Sequence, residues 1–133
     1  MPVGYSGKPT WQKLGFPSGI RVLVEGYRGD YGALVEQPDL VLTAERPDHA
    51  HLFVTERAAL EEAIPRVFAL LPERGAVWVS WPKKASGVPT DMSEDTIRAV
   101  VLPQGMVDVK VCAIDATWSG LKVVRRRGGA SRG

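Results

Sequence analysis

Val107-Asp108-Val109-Lys110-Val111-Cys112, then Asp115-Ala116-Thr117-Trp118-Ser119-Gly120, then Leu121-Lys122-Val123-Val124: this stretch decides how the chain closes its sheet. Two β-branched runs flank a loop short enough to fold them back on each other, which predicts an antiparallel hairpin. Upstream, Ser93 stands where a helix N-cap is needed, and Glu94 and Asp95 fall in the first turn, where the helix dipole favours acids. Ile97, Val100 and Val101 supply the buried stripe of that helix, and Gly105 stops it. Ahead of it, Ala76-Val77-Trp78-Val79-Ser80 reads as a strand, so a strand, a helix and a hairpin follow one another.

The N-terminal half continues the alternation. Residues 56–71 predict a helix capped by Thr55, because Leu60, Ile64, Val67, Phe68 and Leu71 share one face of a 3.6-residue period. Pro65 interrupts it and predicts a kink, at about 3 kcal/mol in an unadapted helix. Residues 20–24, 40–42 and 50–54 read as strands, and 30–37 as a short helix with Asp30 as its cap and Tyr31, Leu34 and Val35 on one face. Strands alternating with helices imply a parallel sheet joined by crossovers, to which the hairpin adds one antiparallel strand. The end pattern resembles the second half of the methyltransferase-like variant of the Rossmann fold. That resemblance implies a three-layer, mostly parallel α/β sheet in the order 2-1-3-4-6-5, numbered along this chain. Residues 1–124 are expected to form one domain and 125–133 a flexible basic tail.

At 133 residues the chain suffices for one two-sided core, and its charged fraction of 24% is ordinary for a globular protein. No apolar run nears the ~20 residues of a membrane span, and the first residues lack a signal-peptide pattern, so a cytoplasmic protein is expected. Cys112, the single cysteine, is incapable of an internal disulfide and reads as buried and inert. The net charge of +2 is concentrated at one end: without Arg125, Arg126, Arg127 and Arg132, 13 basic residues face 15 acidic ones. A body of slightly acidic balance argues against a nucleic-acid partner, and the tail reads as a solvated end.

The run Trp81-Pro82-Lys83-Lys84-Ala85-Ser86-Gly87-Val88-Pro89-Thr90-Asp91 occupies a strand-to-helix connection, where open α/β sheets place their ligands. Gly4-Tyr5-Ser6-Gly7, His51-Leu52-Phe53-Val54-Thr55, Trp78-Val79-Ser80-Trp81-Pro82-Lys83-Lys84-Ala85-Ser86-Gly87 and Val109-Lys110-Val111-Cys112 followed by Trp118-Ser119-Gly120-Leu121-Lys122 resemble an uncharacterised bacterial family, a domain of unknown function, that brings no established activity. Lys83 and Lys84 offer two ammonium groups beside Ser86, Thr90 and the helix starting at Ser93, a set suited to a small anion. The alternative is a solvated loop whose lysine stems cover tryptophan faces. Trp118 and Ser119 fall in the hairpin loop on the same rim, where Trp118 either stacks on a ligand or seals the sheet end. Loops at Tyr27-Arg28 and Thr55-Glu56-Arg57 would complete one cleft.

The methyltransferase resemblance implies S-adenosylmethionine, but the chain departs from that pattern. After Val24 it reads Glu25-Gly26-Tyr27-Arg28-Gly29-Asp30-Tyr31-Gly32, with glycines three apart where the family has a Gly-x-Gly turn. Glu45 alone imitates the ribose-binding acid. Ser86 with Lys83 lacks the geometry of a Ser–Lys hydrolase, and His49 and His51 lack a third metal ligand. The leading expectation is therefore a non-catalytic small-anion-binding or regulatory module. One alternative is an enzyme acting on a phosphate- or nucleotide-bearing substrate, or an S-adenosylmethionine-dependent methyltransferase. Another is a protein-interaction module using the sheet edge at 40–42. The sequence assigns no catalytic residue, no cofactor, no metal and no oligomeric state.

Overall fold

The structure is a computed structural model and describes residues 7–127. The motif residues Gly4-Tyr5-Ser6 and the tail beyond residue 127 lie outside the described residues. The chain runs through α1 (Thr10–Leu14), β1 (Arg21–Glu25), α2 (Tyr31–Val35), β2 (Val41–Leu42), β3 (His49–Phe53), α3 (Arg57–Phe68), β4 (Ala76–Pro82), α4 (Glu94–Val101), β5 (Met106–Ala113) and β6 (Trp118–Arg125). Single 3-10 turns at Lys84–Ser86 and Leu102–Gln104 flank α4. The six strands form one mixed sheet in the order β2-β1-β3-β4-β6-β5, a Rossmann-like arrangement and the order expected from the sequence. The β1–β2, β1–β3 and β3–β4 pairs are parallel, and β6 runs antiparallel to both of its neighbours.

Each face of the sheet builds its own core. On the first face α3 and α4 bring Leu60, Ile64, Val67, Ile97 and Val101 down onto Leu52, Val77, Val79, Leu121 and Val123. On the second face α1 and α2 cover Val22, Phe53 and Trp78 with Leu14, Tyr31 and Val35. Trp78 is fully buried there, and its indole N–H donates to the Leu14 carbonyl at 3.1 Å. That carbonyl sits at the end of α1, where helical partners run out.

Several local expectations are corrected. The Thr55 cap is not made: Glu56 is the N-cap of α3 and gives no side-chain bond, while Asp91 Oδ1, brought in from the loop before α4, accepts from Arg57 N–H at 2.8 Å. Helix α3 runs on through Pro65 to Phe68, short of Leu71. Trp81 and Pro82, read as loop, belong to β4, because β6 begins early enough to pair Trp118 with Pro82 and Ser119 with Trp81. Trp118 and Ser119 are therefore strand residues, and the hairpin turn is confined to 114–117. Helix α1 was not foreseen. Arg125, read as the first tail residue, ends β6.

The caps of α2 and α4 follow the sequence. Asp30 Oδ1 accepts from Ala33 N–H at 3.1 Å, and Ser93 Oγ accepts from Thr96 N–H at 3.2 Å. Gly105 adopts a positive φ of 86° that ends the helical stretch.

Candidate functional site

In an open α/β sheet the ligand crevice lies past the carboxyl ends of strands whose crossovers leave in opposite directions. Here that point lies between β1 and β3. Gly26, the first residue after β1, has a φ of 87°, and a Cβ on it would stand 2.2 Å from the Phe53 carbonyl oxygen. The loop backbone thus rests directly on the end of β3. Beyond it the crevice is filled by side chains of the chain itself. Tyr27 packs on Phe53 with ring centroids 4.9 Å apart, and Tyr31 and Trp118 meet Phe53 edge-on. On the side facing α3 a hollow of about 200 Å³ is left. Small-molecule sites usually measure ~300–1,000 Å³.

The mouth of that hollow is bridged. The Arg66 guanidinium binds both oxygens of Glu25, at 2.8 and 2.9 Å, and also reaches Glu62 at 2.7 Å. The hydrogen bond from Arg66 holds the Glu25 carboxyl below its ordinary range, against the opposing effect of burial. These groups are substantially exposed, so the bridge closes space more than it stabilises the fold.

The seven residues proposed from the sequence lie along one strap, residues 83–93, and the start of β6. The Ser86 hydroxyl donates to the Lys83 backbone carbonyl at 2.6 Å, so it does not meet the lysine ammonium. The Thr90 hydroxyl donates to the Thr55 carbonyl at 2.6 Å and accepts from Met92 N–H. Ser93 is occupied as the α4 cap. All three hydroxyls bond backbone groups: Ser86 within the strap, Thr90 across to Thr55 ahead of α3, and Ser93 at the start of α4. Lys83 N–H donates to Thr117 O at 2.8 Å, which joins the strap to the hairpin turn. Among the described residues, no hydrogen bond or ion pair is recorded for the Lys83 or Lys84 ammonium group.

Trp118 and Ser119, adjacent in β6, face opposite sides of the sheet. Trp118 lies against Phe53 on the second face, half-buried, so only Trp118 of this pair contributes to the filled crevice. The strap is bonded to the hairpin turn at Thr117 and to Thr55 before α3, and Tyr27 and Trp118 both pack on Phe53.

A polar cluster escaped the sequence reading. His51 is fully buried, with Nδ1 2.6 Å from the Tyr31 hydroxyl and Nε2 2.7 Å from Ser80 Oγ. In one tautomer Tyr31 donates to Nδ1 and Nε2–H donates to Ser80; the other reverses both bonds. Burial pushes the His51 pKa down to about 3 and raises that of Tyr31. With every polar atom engaged and no exposure at His51 or Ser80, the chain of bonds serves as an internal tie between α2, β3 and β4. His49 is likewise engaged, its Nδ1 accepting from Ala76 N–H at 3.0 Å. Among the described residues no group of three or more His, Cys, Asp or Glu side chains is placed to hold a metal. Cys112 is half-buried, less enclosed than expected, and desolvation raises its thiol pKa. No helix among the described residues is long and apolar enough to cross a membrane.

No family model matches the sequence, and no curated protein matches it. Solved structures of similar architecture do match. One is a ribosomal protein L11 methylase from Lactobacillus delbrueckii subsp. bulgaricus, at a TM-score of 0.49 and 14% identity, covering 89% of this chain and 64% of that one. Another is a protein of the NADB-Rossmann superfamily from Streptococcus agalactiae, at 0.47 and 12% identity, covering 89% and 56%. A third is a fibrillarin/Nop5p complex, at 0.46 and 14% identity, covering 80% and 61%. The chain therefore spans under two thirds of the length of each of these three. The fold assignment rests on the strand order itself, since all three scores fall below 0.5.

Proposed function

We propose that the protein is a non-catalytic module that binds a small anionic ligand, built on a methyltransferase-like Rossmann frame. The observation that carries this reading is the filled crevice between β1 and β3. Gly26 lies on the Phe53 carbonyl, and Tyr27, Phe53 and Trp118 pack where a bound S-adenosylmethionine would need open space. The departure from a Gly-x-Gly turn after β1 supports the same conclusion. Anion binding falls to Lys83 and Lys84. The bonds of Thr90 to Thr55 and of Asp91 to Arg57 tie down the strap that carries them, so its backbone has little freedom left to lose on binding. The motif likeness to an uncharacterised bacterial family belongs with this reading and adds no activity to it.

Residue-resolved NMR titration tests both halves. Inorganic pyrophosphate is expected to move the amide resonances of Lys83, Lys84 and Gly87 and the indole of Trp118, and Lys83→Met with Lys84→Met is expected to abolish the movement. S-adenosylmethionine is expected to leave Gly26, Tyr27 and Thr55 unmoved. Saturable movement of those three by S-adenosylmethionine would overturn the non-catalytic reading in favour of a methyltransferase. A rim unmoved by pyrophosphate would remove the anion site.

A further inference from the structure

A hollow lies at the opposite end of the sheet from Lys83, and its chemistry differs from that of the rim. It measures about 700 Å³, well inside the ~300–1,000 Å³ range of small-molecule sites. Its floor is apolar: Val107, Val109 and Val124 lie along the free end of the β5–β6 hairpin. Val109 falls where the β5–β6 register shifts between Asp108 and Lys110, and it is 55% exposed. The walls are basic, formed by Arg74 before β4 and by Arg125, Arg126 and Arg127 at the end of β6, with Glu73 the one carboxylate beside them.

These arginines differ from those on the helices. On the helices, Arg57, Arg66 and Arg98 each sit within 3.2 Å of carboxylates. Among the described residues, Arg74, Arg125, Arg126 and Arg127 make no ion pair. Arg125 satisfies itself on neutral groups. Its guanidinium donates to the carbonyls of Phe68, Pro72 and Glu73 and lies over the Phe68 ring, 5.3 Å from the centroid. Arg126 is fixed through its backbone, its N–H donating to Gly105 O at 2.9 Å. The hairpin end thus gathers four guanidinium groups around an apolar floor, with Glu73 beside them but no ion pair to any of the four among the described residues.

We propose that this hollow is a binding site for a small phosphorylated molecule: Arg74, Arg126 and Arg127 take its phosphate oxygens and the three valines take its apolar or planar body. Guanidinium groups match phosphate geometry through paired N–H donors, and an exposed valine floor gains by being covered. The site is distinct from the rim lysines and does not depend on them.

ATP and inorganic pyrophosphate are the probes, titrated into the full chain at low ionic strength by calorimetry and residue-resolved NMR. ATP is expected to move the resonances of Arg74, Val107, Val109 and Arg126. Arg74→Gln and Arg127→Gln are each expected to weaken ATP about tenfold, the loss of one charge-assisted contact. Val109→Ser, at an exposed position the fold tolerates, is expected to weaken ATP about threefold while leaving pyrophosphate unchanged. Three results would overturn the proposal: no saturable movement at the hollow with millimolar ATP, equal effects of Val109→Ser on both probes, or tighter binding of a short oligothymidylate than of ATP to the same residues. Movement confined to Lys83 and Lys84 would also overturn it while leaving the rim reading intact; movement confined to the hollow would support it and refute the rim reading.

Discussion

The two faces of the sheet are built from different materials. The first, under α3 and α4, buries side chains that are apolar throughout. The second is covered by α1 and α2, five residues each, too short to hold themselves together without tertiary contacts. The four buried polar side chains among the described residues belong to that side: Thr10 in α1, Gln37 just past α2, and His51 and Ser80 on the strands. A long amphipathic helix docks by area alone. A helix of one and a half turns buries too little for that, and here directional bonds supply the difference: Trp78 to the Leu14 carbonyl for α1, and Tyr31 to His51 for α2.

The contrast predicts a hierarchy of effects. Ile64→Ala on the first face removes a fully buried side chain of the long helix and is expected to lower stability by about 2–5 kcal/mol in urea denaturation. A loss under about 1 kcal/mol would mean that α3 is docked by something other than apolar area.

The second face is expected to be the acid-sensitive one. His51 is neutral when folded, with a pKa near 3, whereas the unfolded chain takes up a proton near pH 6.5. Protonation then favours the unfolded state, so stability is level above about pH 6.5 and falls by about 1.4 kcal/mol per pH unit between roughly pH 6 and 4. His49, also lowered by burial and by Lys122, acts in the same direction. Glu25, whose carboxyl is held below its usual range, loses its contribution only at lower pH. Urea midpoints measured across this range should flatten in His51→Gln relative to the native chain. An unchanged slope would show that His51 does not carry the acid sensitivity.

Tyr31→Phe preserves the ring and removes only the hydroxyl, leaving His51 Nδ1 buried without a partner. A loss of about 1–3 kcal/mol is expected, detectable as a lower melting temperature together with faster hydrogen exchange in α2. Equal exchange in both forms would show that α2 is held by packing alone. The smallest effect belongs to the first face's exposed ion pairs. Glu61→Ala, which breaks the bridge to Arg57, should change stability by no more than about 1 kcal/mol.

What was legible in the sequence was what repeats or what sits close together. The hairpin showed in two β-branched runs a short turn apart, and the Ser93 and Asp30 caps showed next to the helices they start. The strand order came through a family resemblance. What stayed hidden depends on partners far along the chain. Thr55 looks like the α3 cap until the fold brings Asp91 to Arg57, 34 residues away. Trp81-Pro82 reads as a chain break until β6 supplies Trp118 as a partner. The His51 bonds span 20 and 29 residues, and no local pattern marks them. Helix α1 is too short to show a period, although Pro9 before it and Gly15 after it mark its bounds. The arginine hollow escaped because Arg74 lies some fifty residues before the C-terminal arginines that join it.

The place of β6 has a consequence for biosynthesis. It follows β5 along the chain, yet it lies inside the sheet, between β4 and β5. A nascent chain that has released β5 has nowhere to pair it, since the strand that joins β5 to β4 is still in the ribosome. Half the sheet must wait for synthesis to pass Arg125. Ribosome-bound chains cut short of that residue would leave the edges of β4 and β5 open together, while β1, β2 and β3 already have their partners. Completion of the sheet is thereby tied to the emergence of β6.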